Sequence, residues 1–373
     1  MNRGLALLLL VAISSMSVSA DFVIGTCTIH VPTPPSTQCN GADLSYANLA
    51  NAHLDGARLS NADLTGSNLT SALITFADLT NTNLTEANLQ GSNLAWTNLR
   101  GAILQGANLT GAALSFVQSG NIQGMPAALP TFWQLTNGYL VGPWADLTGA
   151  NLTGVNLAGA NLSTARLADA DLSSANLTGA DLMHTVLTNA NLNGTNLTNA
   201  NISGSNLLNA NLSNANLQGA NLYGSNPHNA NLSNADLSNA NLTNANLYGV
   251  QSGGIIGTPS ALPSGWKLVN GYLVGHNANL SNANLYGSDL TNADLSNANL
   301  SNANLYGVQS GGIIGTPYAL PAGLQLINGS LVEVALPLNG IYKGSTIKDR
   351  SGDAASLQYH VLNPCPYGFI CLL

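Results

Sequence analysis

Charged side chains are scarce in this sequence of 373 residues: they make up 6% of it, with 8 basic and 16 acidic residues and a formal net charge of −8. A typical soluble domain contains about 25% charged residues. The few lysines and arginines form no basic stripe that could neutralise phosphates, so we expect no nucleic-acid partner. Aromatic residues are also few, at 5%. The outer surface is therefore expected to be neutral and hydrogen-bonding.

Residue patterns that carry enzyme chemistry are missing as well. The six histidines are scattered, and no pair of them has the spacing of metal ligands. The chain contains neither a glycine-rich phosphate loop nor a nucleophile elbow. We therefore expect no catalytic residues, no cofactor and no metal, and predict that the protein is not an enzyme.

Long hydrophobic runs are absent after the first 20 residues. Leu5–Ile13 is a short apolar run that follows Arg3 and precedes a small-residue cleavage site at Val18–Ala20. This pattern is typical of a signal peptide, and the run is too short to span a bilayer. We predict cleavage after Ala20, a secreted or periplasmic (extracellular) location, and no transmembrane segment in the mature chain.

Cysteine is restricted to the ends of the chain, at Cys27, Cys39, Cys365 and Cys371. Export makes disulfides plausible, and three pairings are possible. The local pairing, Cys27 with Cys39 and Cys365 with Cys371, is the simplest, and four free thiols are the alternative. Neither pair has the spacing of a zinc knuckle.

What is abundant is a phrase of five residues, Ala-Asn/Asp-Leu-x-x, that recurs between Ala42 and Leu305. It fills 42 slots: 15 with centres from Leu44 to Leu114, 21 from Leu147 to Leu247 and 6 from Leu280 to Leu305. The central residue is leucine in all but three of them, and the residue two before it is alanine in 32. A strict short period over hundreds of residues is the mark of a solenoid.

The five-residue period predicts one short strand and one corner per repeat. Side chains alternate between the two faces of an extended segment, so the small residue and the leucine point inward together while Asn or Asp points outward. The two residues after the leucine are rich in Ser, Thr, Gly and Asn, which suit turns. Phe76, Trp96 and Phe116 recur at intervals of 20 residues, as do Tyr286 and Tyr306. A four-sided coil would stack each of these sets.

These repeats resemble those of the pentapeptide-repeat family. The resemblance implies an all-β fold, a right-handed quadrilateral parallel β-helix, and it covers residues 42–116, 145–249 and 278–307. It implies little about function. Some members of that family bind DNA gyrase by mimicking acidic duplex DNA, which requires a dense carboxylate surface and a cytoplasmic address. Only 12 acidic residues lie between Asp43 and Asp294 here, and the export signal also disfavours that function.

Two inserts interrupt the repeats and a third follows them, and each contains an Asn-Gly pair between apolar residues. This pair predicts a hairpin, which we expect to project from the rod. The predicted organisation is a signal peptide at 1–20, an N-terminal cap at 21–41, repeats at 42–116, an insert at 117–144, repeats at 145–249, an insert at 250–277, repeats at 278–307, and a final insert copy with a C-terminal cap at 308–373.

The function that this sequence favours is an exported, non-catalytic structural or interaction solenoid, whose partner is an unknown protein or a cell surface. Its polar faces and the aromatic residues of the inserts are the predicted contacts, although these rings can equally pack on the rod. A gyrase-binding DNA mimic is one alternative. Ice or surface binding is another, but no side of the coil has a uniform threonine column. The candidate contact residues are Phe132, Trp133, Tyr139, Trp144, Trp266 and Tyr272.

Overall fold

The computed structural model describes residues 22–24, 27–29 and 37–334. Its named strands form four antiparallel hairpins: β1 (Phe22–Ile24) with β2 (Cys27–Ile29), β3 (Gln134–Thr136) with β4 (Tyr139–Val141), β5 (Lys267–Val269) with β6 (Tyr272–Val274), and β7 (Leu324–Ile327) with β8 (Ser330–Glu333). The second, third and fourth hairpins turn at the three Asn-Gly pairs, as the sequence predicts. Among the described residues no helix is long and apolar enough to cross a membrane.

The repeats form a coil in which each residue pairs with the residue 20 positions further along. Asn48, for example, makes a parallel bridge to Asn68, which in turn bridges Asn88. The Asn68 amide donates to the Ala47 carbonyl at 2.9 Å, and the Leu49 amide donates to the Asn68 carbonyl at 2.7 Å. Twenty residues are four pentapeptides, so the coil has four sides. The predicted quadrilateral solenoid is confirmed.

Each corner is a tight turn closed by the backbone. The carbonyl of Leu49 accepts from the amide of Ala52 at 3.0 Å, and Asn51, between them, has a φ of 59°. This left-handed conformation favours glycine and asparagine, which are the residues that occupy most corners. The composition of the two residues after each leucine is therefore set by backbone geometry.

The interior is filled by the central leucines and the small residues that precede them. Nearly all of these leucines are at most 2% exposed, and burying one contributes roughly 1.5–3 kcal/mol. Where Ser or Thr replaces the small alanine, its hydroxyl can bond to a nearby carbonyl, as Thr82 does to Leu59 at 2.7 Å. The core divides into two clusters, which meet at β4: Leu140 belongs to the first and Val141 to the second.

The inserts differ from the expectation that their hairpins project outward. In the first insert, Gln118, Gln123 and Ala128 continue the coil by pairing with Asn98, Ile103 and Asn108. Gln118 then pairs with Asp146, which is 28 residues further along rather than 20. The β3–β4 hairpin occupies this extra length and lies between two coils, since Leu140 and Val141 are buried.

Hydrogen bonds tie this hairpin to the coil that precedes it. The Leu140 amide donates to the Ser119 hydroxyl at 2.9 Å, and the Ile122 amide donates to the Gly138 carbonyl at 3.0 Å. The β5–β6 and β7–β8 hairpins repeat the first contact, because Leu273 and Leu331 donate to the hydroxyls of Ser252 and Ser310. The recurrent Val-Gln-Ser-Gly phrase therefore supplies the acceptor on which each hairpin docks.

Pro227 occupies a central position, where the sequence predicts a bulge or a missing bond. A leucine amide at such a position donates to the next coil, as Leu222 does to Asn241 at 2.7 Å. Proline has no amide hydrogen, and the parallel bridge from Asn226 to Asn246 is absent although Asn226 pairs with Asn206 below it. The missing bond is confirmed, and the side chains of Asn226 and Asn246 still join at 2.9 Å.

At the N-terminal end, Cys27 is buried against the first coil and is joined to Cys39, with their Cα atoms 4.8 Å apart. The pairing is the local one considered from the sequence. Cys365, Cys371 and the predicted signal peptide (1–20) lie outside the described residues.

Candidate functional site

Four of the six aromatic residues predicted as contacts pack against the core. Trp266 is 6% exposed, and Trp133, Tyr139 and Tyr272 are partly buried against the core clusters. The Trp133 ring also lies close to Gly142 in β4's exit. These rings hold the inserts in place, which leaves Phe132 and Trp144 as the exposed members of the set.

The two tyrosines connect their hairpins to the coil that follows. The Tyr139 hydroxyl accepts from the Asn151 amide at 3.2 Å, while the Asn137 side-chain amide donates to the Asn151 carbonyl at 2.9 Å. The second insert repeats this pair of bonds with Tyr272, Asn270 and Asn284. These contacts replace the direct coil-to-coil bonds that the wedged hairpin interrupts.

Trp144 belongs to a ladder of aromatic rings along one corner of the rod. The centroids of Phe76 and Trp96 are 6.0 Å apart and those of Trp96 and Phe116 are 4.1 Å apart, with nearly parallel rings. Trp144 meets Phe116 edge-on at 5.5 Å. The stacking predicted from the 20-residue interval is confirmed. We call Phe76, Trp96, Phe116 and Trp144 the aromatic ridge.

Arg166 lies over this ridge. Its guanidinium carbon is 5.0 Å from the Trp96 ring centroid and 4.8 Å from that of Phe116, which is cation–π geometry. No carboxylate among the described residues lies within ion-pair distance of it. Sequence analysis missed this residue. It belongs to the repeat block after the first insert, and only the 28-residue coil brings that block onto Trp96 and Phe116.

The flat sides of the rod use most of their hydrogen-bonding groups internally. The outward Asn or Asp of many repeats accepts from the amide two residues later, as Asn68 does from Thr70 at 3.1 Å, and the Thr70 hydroxyl donates to the same oxygen at 2.6 Å. Asparagine side chains of successive coils also bond to one another, as Asn221 does to Asn201 at 3.3 Å. These sides are therefore polar but largely self-satisfied.

Carboxylates and histidines form no cluster suited to chemistry. The pKa of Asp171 is lowered from 3.8 chiefly by the Ser173 hydroxyl, and that of Asp289 is lowered chiefly by the Thr291 hydroxyl. His53 and His276 each lie 4.0 Å from a carboxylate, of Asp55 and Asp294 respectively. Within the described residues, no three metal-ligating side chains come together.

The sequence repeats match a known family model described as pentapeptide repeats. The match comprises eight copies and spans more than half of the chain, over residues 37–75, 77–115, 145–182, 165–204, 180–219, 210–249 and 276–309. Among curated proteins, none matches this chain.

Several solved structures are similar to this chain. A pentapeptide repeat protein from the cyanobacterium Cyanothece is 33% identical, with 31% of this chain and 89% of that chain covered and a TM-score of 0.22. A pentapeptide repeat protein from the thylakoid lumen of Arabidopsis thaliana is 25% identical, with 28% and 69% covered and a TM-score of 0.23. QnrB1, a plasmid-mediated fluoroquinolone resistance protein, is 14% identical over 69% of this chain and 88% of that one, with a TM-score of 0.22.

Proposed function

This chain belongs to the pentapeptide-repeat family, and we propose that it is an exported, non-catalytic solenoid that acts by contact with a protein or a cell surface. The interior is filled with leucine and alanine side chains, so the chemistry available to a partner is on the outside. Contact is made through the polar sides and through the exposed aromatic side chains, which include Phe132 and the aromatic ridge.

The aromatic ridge is the observation that carries this proposal. Phe76 is 66% exposed, Trp144 44% and Trp96 37%, on a rod whose other side chains are mainly Asn, Ser, Thr and Gly. Contiguous exposed apolar surface on a soluble protein marks an interaction site more often than it occurs by chance. The ridge contributes nothing to the leucine column, so its rings are free to serve a partner.

The disulfide supports the export component of the proposal. Disulfides persist in oxidising compartments and are rare in the cytosol, and Cys27 and Cys39 are joined beneath the first coil. The expected cleavage after Ala20 would leave both cysteines in the mature protein. N-terminal mass spectrometry of the protein outside the cytoplasm tests this, and a chain that still begins at Met1 would contradict it.

The two alternative functions are less compatible with the surface. A DNA mimic needs closely spaced negative charge, yet Asn98 and Gln118 lie between Asp78 and Asp146 on the same side of the coil. Ice binding needs free hydroxyl groups in register, yet the hydroxyls of Thr65, Thr80 and other threonines donate to the carboxylate or amide oxygen two residues earlier. We therefore rank both below contact through the aromatic ridge.

A binding experiment tests the contact function directly. The mature chain from Asp21 onward is immobilised and incubated with detergent-solubilised envelope proteins, beside a Phe76→Asn/Trp96→Asn variant. Asparagine is the natural choice for the variant because it adopts the corner conformation throughout this rod. We expect wild type to retain specific proteins that the variant releases. Identical retention by both would move the contact surface away from the ridge.

A further inference from the structure

The backbone at the aromatic ridge is more strained than at other corners. Phe76, Trp96, Phe116 and Trp144 have φ values of 57°, 62°, 59° and 63°. A bulky side chain in this left-handed region is unusual, and strained conformations of this kind cost of order 1–3 kcal/mol each. Other corners use glycine or asparagine, which adopt the same conformation more readily. Four consecutive aromatic corners therefore reduce stability, which points to a role outside folding.

The geometry of the rings excludes a stacked sugar as the main ligand. Phe76, Trp96 and Phe116 stack face to face, with interplanar angles of 10° and 19°. Their faces cover one another, so it is mainly ring edges that reach solvent. Carbohydrate stacking requires an open ring face, whereas insertion into a soft apolar phase requires only exposed apolar surface.

The ridge is straight and convex. Its members occupy one corner of successive coils, which are about 4.8 Å apart, so they lie on a line parallel to the rod axis. The polar sides slope away from this line, as the sides of any four-sided rod slope away from a corner. A planar surface can therefore meet the four rings together, whereas a compact pocket on a partner cannot.

Arg166 adds a cation at the same place. Its stacking on Trp96 and Phe116 leaves the guanidinium N–H groups, which lie in the plane of the group, available to oxygen anions. Guanidinium groups bind phosphate oxygens through two parallel hydrogen bonds. The corner thus combines exposed apolar rings with one phosphate-binding group. Phospholipid surfaces present the matching arrangement, a phosphate layer above an apolar layer.

We propose that the aromatic ridge docks on the surface of a phospholipid bilayer, with its rings among the upper acyl segments and Arg166 on a lipid phosphate. Tryptophan favours this interfacial zone. Asp78 and Asp146 lie on the side of the rod that also carries Arg166, so a zwitterionic surface suits the ridge better than an anionic one. The inference rests on the proposed contact function and names its partner class.

Vesicle binding tests the inference with pure lipid. Mature protein is mixed with phosphatidylcholine vesicles, with and without bromine on the upper acyl carbons, and both cosedimentation and tryptophan fluorescence are measured. Bound protein should be quenched, because Trp96 and Trp144 are exposed while Trp266 is buried. We expect the Trp96→Asn/Trp144→Asn variant to bind at least about tenfold less, since interfacial burial of two indoles is lost.

The matched control is Tyr286→Asn/Tyr306→Asn, which removes the stacked tyrosine pair of another corner, 5.6 Å apart. Circular dichroism verifies that both variants keep the fold, and the control should bind vesicles as wild type does. Arg166→Gln should weaken binding while leaving the residual quenching in place.

Absence of vesicle binding by wild type, or equal binding by the ridge variant, would overturn the lipid proposal. If the ridge variant instead loses binding to solubilised proteins or to an insoluble polysaccharide, while wild type ignores vesicles, the contact function stands and the lipid assignment falls. If neither vesicles, proteins nor polysaccharides distinguish the ridge variant from wild type, both proposals fail.

Discussion

Trp133 lies against Gly142 so closely that a β-carbon on that glycine would be 2.4 Å from the indole ring. The second insert repeats the relationship with Trp266 and Gly275, at 2.3 Å. In the third insert the equivalent positions hold Leu324 and Glu333. Tryptophan and glycine therefore occur together, because the indole occupies the space that a larger residue would need.

Replacing Gly142 with alanine should destabilise the rod at the first insert. Overpacking of a filled site costs roughly 1–3 kcal/mol, and Gly142 has no left-handed conformation that would add strain of its own. Chemical unfolding followed by circular dichroism measures the change. Glu333→Ala, at the equivalent position of the third insert, is the control and should leave the midpoint nearly unchanged. A wild-type midpoint for Gly142→Ala would contradict the close contact.

Replacing Pro227 with leucine should restore the missing bond between coils. The new amide can donate to the Asn246 carbonyl, a gain of about 1 kcal/mol. Loss of proline's rigidity in the unfolded chain offsets about 0.4–1 kcal/mol of this, so stability changes little. Hydrogen exchange is the sharper measurement: the amide of residue 227 should be protected as strongly as that of Leu222. Rapid exchange at 227 in a folded variant would show that the ladder is distorted there.

A carboxylate placed in the leucine column should prevent folding. Leu192 is 1% exposed, and an unpaired charge in such surroundings costs several kcal/mol or more. We expect Leu192→Asp to lose the circular dichroism signal of the rod. Asn196→Asp is the control, because it points outward where Asp171 and Asp181 stand in other coils. A soluble, folded Leu192→Asp protein is incompatible with an inward column.

Acid should weaken the rod partly through Asp171. Its pKa is lowered chiefly by the Ser173 hydroxyl, then by the Ser173 amide, with Thr153 and Asn191 adding to the effect. A carboxyl whose pKa is lower in the folded state stabilises the fold above its unfolded pKa, about 3.9. That contribution is lost as pH falls through the folded pKa.

The variant Asp171→Asn separates this titration from the hydrogen bonds. Asparagine keeps an oxygen acceptor for Ser173, as Asn68 does for Thr70, but it does not titrate. The thermal midpoint of the variant should therefore fall less between pH 5 and pH 2 than that of wild type. Equal losses in the two proteins would assign the acid sensitivity to other groups.

The regular part of the molecule could be predicted because it depends on local rules. The five-residue period set the inward and outward positions, and the interval between Phe76, Trp96 and Phe116 indicated four sides. The bond missing at Pro227 followed from its lack of an amide hydrogen. An Asn-Leu-Thr phrase also contained the signal for the turn at Asn68, since asparagine commonly accepts from the amide two residues on.

The position of the hairpins could not be predicted by the same rules. An Asn-Gly pair specifies the turn of a hairpin but not the surface on which it lies. Docking between coils depends on distant partners, such as Ser119 for Leu140 and Asn151 for Tyr139. Arg166 reached Trp96 for the same reason, because their contact depends on how many residues the first insert adds to its coil.

Four pentapeptides per coil is the relationship on which the aromatic ridge and the hairpin joints both depend. Ser213 and Ser233 follow outward residues, Asn211 and Asn231, that are paired in adjacent coils, at a spacing that a disulfide can bridge. Oxidation of Ser213→Cys/Ser233→Cys, mapped by mass spectrometry, should give a bridge between these two positions. Ser213→Cys/Ser238→Cys, one pentapeptide out of register, should give little. Equal bridging in both variants, or bridging in the second alone, would contradict the four-sided coil.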